Sequence, residues 1–163
     1  MRTKTAAPIT LAIAATLALG ALIPATSTAA TLHFTGKATG VKPDANMTIA
    51  FDVVSRQGRP GTIKNIFVTD LDYRCEIGVK STERDLRYYD SAAFSARNRF
   101  DISEVMLPPA YKNEIEGKFL YPRKGVRKRP TVQGTLYSEF GYGLTRDTYN
   151  CLGVEDFVAT ARR

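Results

Sequence analysis

LDYRCEIGV, residues 71–79, alternates apolar and polar side chains without a break. In an extended chain successive side chains point to opposite sides, so Leu71, Tyr73, Cys75, Ile77 and Val79 share one face, and Asp72, Arg74 and Glu76 the other. A half-buried strand requires that pattern, and it turns Cys75 inward. The same period of two runs outward in both directions. TLHFTGKATG alternates around Leu32 and Phe34 and ends in glycine. MTIAFDVV puts Met47, Ile49, Phe51 and Val53 on one face after the turn-forming KPDAN. QGRPG reads as a turn, since proline fixes φ and glycine admits positive φ, and TIKNIFV follows as a third strand.

Residues 81–97, STERDLRYYDSAAFSAR, are ambiguous. Thr82 with Asp85 resembles a capping box, and Leu86, Tyr89 and Ala93 fit a helical stripe, but LRYYD and AAFSA also read as short strands, the reading preferred here. RFDISEVML is extended, and the prolines of LPPAY end it. IEGKFLY (115–121) and VQGTLYSEF (132–140) then echo each other: a β-branched residue, a spacer, glycine, a spacer and a large apolar residue. Antiparallel pairing of the two makes PRKGVRKRP (122–130) their connection, with Gly125 in its turn. The chain closes with GYGLTRDTYNCLG and with EDFVATARR, in which Phe157, Ala159 and Ala161 alternate. About nine or ten short strands without a long helix predict an all-β fold, an antiparallel β-sandwich or a barrel-like arrangement.

Residues 1–30 read as a cleaved signal peptide. Arg2 and Lys4 precede an apolar run rich in alanine and leucine, and PATSTAA ends it with small residues, which favours processing after Ala29 or Ala30 over retention as a membrane anchor. No lipobox cysteine follows. Residues 31–163 then form a single domain of ordinary size. Loss of Arg2 and Lys4 takes the formal charge from +7 to +5, a mildly basic surface rather than a nucleic-acid-binding composition. Cys75 and Cys151 are the only cysteines of a chain bound for an oxidising compartment, so a Cys75–Cys151 disulfide is expected.

The same residues exclude much chemistry. His33 is the sole histidine and lies near the expected mature N-terminus, a poor place for the base of a catalytic triad. Without clustered His and Cys no zinc site is expected, and no cofactor. No catalytic residue is assigned. Paired carboxylates, Asp70 with Asp72 and Glu114 with Glu116, leave a small extracellular glycan hydrolase as the alternative, although each pair faces away from its strand's apolar side. No motif supports calcium at Asp70 and Asp72. Tyr88, Tyr89 and Tyr142 are candidate rings for stacking on a carbohydrate. The remaining candidate is cationic: Arg123, Lys124, Arg127, Lys128 and Arg129 crowd one connection, a candidate site for an anionic cell-wall polymer as well as a charged tip that keeps a hairpin soluble. Secretion removes nucleic acid as a partner. PPAY is a candidate loop for a secreted inhibitor, a further alternative.

FTG in the first strand, FDVVSRQGRPGTIKNIFV, VQGTL and CLGVEDFVATAR together resemble small secreted, disulfide-containing, β-rich proteins of actinobacteria. The matching positions are Gly134, Cys151, Gly153, Phe157 and Ala161. The resemblance implies a disulfide-linked β-sandwich and no activity, because the group is largely uncharacterised. The resulting expectation is a secreted or extracellular, monomeric, non-catalytic binding module, associated with the cell envelope.

Overall fold

The computed structural model describes residues 29–40, 42–76, 82–106, 111–142 and 149–162. These contain nine strands and no helix: β1 (Ala29–Thr39), β2 (Thr48–Arg56), β3 (Arg59–Cys75), β4 (Thr82–Arg87), β5 (Ala92–Ala93), β6 (Arg99–Met106), β7 (Tyr111–Leu120), β8 (Thr131–Tyr142) and β9 (Tyr149–Ala161). Among the described residues no helix is long and apolar enough to cross a membrane. Most of the expected signal peptide lies outside the described residues. Its last two positions, Ala29 and Ala30, open β1 opposite Arg56 and Ser55.

The strands form one antiparallel sheet in the order β4-β3-β2-β1-β9-β8-β7-β6, a meander whose first and last strands pair with each other. β3 also pairs with β9, Arg74 opposite Leu152 and Cys75 opposite Cys151, which closes β3-β2-β1-β9 into a ring. Of the two expected architectures the barrel-like one is formed. The expected disulfide joins Cys75 to Cys151 across that pairing, 76 residues apart in sequence. Closing a loop of that length contributes about 4 to 5 kcal/mol in the chain-entropy account.

β3 explains the closure. What reads in sequence as a turn and two strands is a single strand, because the turn takes only Gln57 and Gly58, both at positive φ (50° and 75°), as a tight hairpin requires. Three extra residues then interrupt β3. Gly61 has no opposite number on β2, the pairing slips again around Asn65, and it slips against β4 around Asp70. Asn65 and Asp70 adopt φ of 53° and 56°, a region their short polar side chains tolerate best after glycine. Each bulge adds twist and bend. Bent three times, β3 carries Cys75 around to β9.

The barrel interior is filled, as the alternation requires. Phe34 stacks on Phe51 with ring centroids 5.2 Å apart, and Phe119 and Phe157 meet this pair edge-on. Met47, Ile49, Val53, Ile63, Leu136 and Ala159 are buried around them. The echoing glycines sit directly opposite each other, Gly117 against Gly134, with Gly134 also facing Phe157 on β9. A Cβ on Gly134 would lie 2.1 Å from the Glu116 carbonyl oxygen and 2.7 Å from the Phe157 ring, so only glycine leaves room for that ring. Residues 81–97 hold no helix among those described; β4 and β5 occupy them.

Candidate anion-binding end of the barrel

A meander has two ends. β1, β3, β6 and β8 finish at the disulfide end; the other end holds the β2–β3 turn, the segment between β4 and β6, the β7–β8 loop, and the start of β1 with the finish of β9. PRKGVRKRP therefore crowns the end opposite the disulfide.

Within this loop Arg123 and Arg127 pair as an isolated bridge, the Arg127 N–H donating to the Arg123 carbonyl at 2.8 Å and Val126 N–H to the same oxygen at 3.0 Å. Gly125, at φ 79°, makes the turn. The Arg127 guanidinium Nε donates to the Tyr121 carbonyl at 3.3 Å, so this half-buried side chain folds the loop back on its own start. Arg123, Lys124, Lys128 and Arg129 are exposed. None of the five has an ion pair among the described residues, where the pairs present are His33–Asp52 and Lys112–Glu114.

The topology enlarges the patch. Exposed Arg56 and Arg59 flank the β2–β3 turn, and Arg97 and Arg99 are exposed at the entry to β6. Lys118 and Arg162 add to them from β7 and the residue after β9. Residues 29–33, 53–64, 91–100, 117–134 and 157–162, which reach this end of the barrel, contain no Asp or Glu; Asp52, opposite His33 and Lys64 and engaged by His33 and Asn65, and exposed Asp90 border them. Positive charge thus accumulates at one end through four of these segments, the start of β1 carrying neither Lys nor Arg. Two depressions open there. One, of about 540 Å³, is lined by Arg59, Pro60, Phe94, Asn98 and Tyr121 among others. The second, of about 290 Å³, is lined by Arg127, Lys128, Arg129, Thr131 and Thr160.

The aromatic candidates part company. Tyr88 is buried in the core, 2% exposed, with its hydroxyl donating to the Glu114 carbonyl at 3.3 Å; burial, reinforced by Tyr73, Glu104 and Glu114, pushes its phenol well above the ordinary range. It offers no ring to a ligand, because its parity with Leu86 turns it inward. Tyr89 is 76% exposed beside the Arg87 guanidinium, 5.7 Å from the ring centre. The side chain of Tyr142 lies outside the described residues, as does most of PPAY.

The paired carboxylates are not brought together as a catalytic couple. Asp70 sits on the bulge, its N–H donating to Asp85. Glu114 is engaged by Lys112 at 3.0 Å and by the Ser103 hydroxyl at 3.3 Å, while Glu116 is exposed. Asp72 borders a groove of about 510 Å³ at the disulfide end with Asp44, Arg74, Leu152, Val154 and Glu155. There burial raises the Glu155 carboxyl above its usual range, with Asp44 adding to the rise and a backbone hydrogen bond opposing it. Both signs of charge share this groove, and no cluster of His, Cys, Asp or Glu able to hold a metal occurs among the described residues. His33 is fixed in β1 rather than at a loose chain end. Its Nδ1 lies 2.6 Å from Asp52, which also accepts from Asn65 at 2.8 Å.

One residue escaped the sequence reading. Glu104 is 8% exposed, and its Oε1 accepts the backbone N–H groups of Tyr89 at 2.6 Å and Asp90 at 2.8 Å; Oε2 is buried with no partner among the described residues. Its strand partners are Asn113 and, one strand further, Ser138. The Tyr73 hydroxyl donates to Ser138 at 2.7 Å and Ser138 donates to Asn113 at 2.5 Å, so a polar row crosses the interior near the disulfide end. The signal was present: Glu104 keeps parity with Phe100 and Ile102, as Asn113 does with Ile115 and Ser138 with Leu136. No protein-family description, curated protein or solved structure matches this chain.

Proposed function

We propose that this chain is a secreted, non-catalytic binding module of the cell envelope or extracellular space that holds an anionic polymer at the cationic end of its barrel. The carrying observation is a set of exposed arginines and lysines from four segments that contain no Asp or Glu, with no ion pair formed by the loop cations. Unpaired guanidinium groups are well suited to bidentate capture of phosphate or carboxylate, and they are less strongly hydrated than ammonium groups. Adjacent exposed like charges repel one another. A polyanion relieves that repulsion and releases condensed counterions, so binding weakens steeply with added salt. The signal-like residues 1–30 and the resemblance to small secreted actinobacterial proteins support an extracellular setting. The hydrolase alternative has less in its favour, since the two carboxylate pairs behind it are exposed or tied into local contacts.

Replacing Arg123, Lys124, Lys128 and Arg129 together by glutamine, with Arg127 kept to hold the loop, tests the reading. In co-sedimentation with purified cell wall at low salt, the variant should lose at least about tenfold in affinity. Its thermal midpoint should move by less than about 2 °C, because exposed substitutions away from packing are nearly neutral. Wall binding unchanged in the variant, or insensitive to salt in the parent protein, would remove the proposal.

A further inference from the structure

We infer that the depression between Arg59, Phe94, Asn98 and Tyr121 is a subsite for one acidic sugar residue, so that the polymer held at this end is a uronate-containing polysaccharide rather than a polyphosphate. The inference rests on the anion-binding reading and names its ligand class. Tyr121 is 40% exposed, and its ring is braced edge-on by Phe119 at 5.2 Å between centroids. Phe94, half buried, is braced in the same way by Phe100 at 5.3 Å and Phe119 at 6.0 Å. Two fixed aromatic side chains line the same depression as a proline. Apolar surface of this kind has no use for a bare phosphate chain. It does suit the C–H face of a pyranose.

The polar groups are placed to complement such a ring. Arg59 is exposed at the rim with no ion pair among the described residues, and its fork matches a carboxylate. Asn98 is held at φ 57° by backbone bonds, its own N–H donating to the Ser95 carbonyl and its carbonyl accepting from Phe119 N–H. Its carboxamide forms no hydrogen bond with the described residues, which leaves donor and acceptor for sugar hydroxyls. The neighbouring depression lined by Arg127, Lys128 and Arg129 has threonines and no ring. One end therefore offers a ring-binding subsite beside a charge-binding one, the pairing an acidic polysaccharide engages in full and a polyphosphate only in part.

Titration calorimetry with an oligogalacturonate and with sodium polyphosphate of equal charge, at low and moderate salt, separates the cases. Tyr121→Ala should weaken oligogalacturonate about tenfold or more, as loss of a buried aromatic anchor does, and leave polyphosphate unchanged. Tyr121→Phe should retain the affinity, because the ring and not the hydroxyl is the contact, and unchanged polyphosphate binding by Tyr121→Ala excludes unfolding of the loop as the cause. If Tyr121→Ala affects both polymers equally, or neither, the sugar subsite is wrong. If polyphosphate alone binds, the subsite is again wrong but the anion-binding reading stands; if neither polymer binds, both fall.

Discussion

Glu104 occupies the place where the barrel lacks a ladder. β4 and β6 are the two ends of the strand order, and the chain leaving β4 is tied to β6 by the two backbone N–H groups that Glu104 accepts. A buried carboxyl with one orphan oxygen is costly, and it persists because its other oxygen satisfies two donors that have no strand partner. Glu104→Ala should therefore lower stability by about 2 to 3 kcal/mol, while Glu104→Gln, which keeps an acceptor, should cost less than half as much. Urea denaturation of both variants measures this; an alanine variant within about 0.5 kcal/mol of the parent would mean that the seam is held by packing alone. The inward parity of Glu104 could be read from the alternation of β6. That it binds the backbone after β4 could not, because a side chain's partner 15 residues away depends on how the sheet closes.

At the scale of strands, alternation carried the reading as far as uninterrupted pairing extends. β2, β7, β8 and the second half of β9 have one parity throughout, and their buried faces follow from the residues alone. β3 does not. Its buried positions step from Ile63 to Ile66 and from Val68 to Leu71, three residues each time, because Asn65 and Asp70 are bulged out. A bulge resembles a strand break in sequence, and Pro60 reinforced that impression although it lies within β3. The antiparallel sense of β7 and β8, by contrast, was legible from their echo, and the structure adds the register, in which Gly117 and Gly134 meet face to face. Gly134→Ala would drive a methyl group into the Glu116 carbonyl and the Phe157 ring, and should cost about 2 to 3 kcal/mol. A calorimetric midpoint unchanged by that substitution would contradict the packing described for these rings.

Over the whole molecule the main feature is the separation of charge along the barrel. The five cations of residues 123–129 were visible as a run, and their turn chemistry followed from Gly125 and the flanking prolines. That Arg56, Arg59, Arg97, Arg99 and Arg162 join them depends on the strand order, which brings segments more than a hundred residues apart to one end. Tyr88, by contrast, keeps the parity of buried Leu86, and its place in the core follows from that parity although its neighbour Tyr89 is exposed. The depression at Tyr121 and Phe94 is assembled by topology from the start of β3, the segment between β5 and β6 and the residue after β7, none of which carries a motif. A site made by topology has no signature in the chain. The central claim, that this end of the barrel is the binding surface, is tested most directly by mapping backbone amide chemical shifts of the isotopically labelled protein during titration with an oligogalacturonate. Perturbations confined to residues 54–62, 94–99, 121–130 and 162, fading as salt is raised, are the expected result; perturbations centred on the groove beside the Cys75–Cys151 disulfide would contradict the claim.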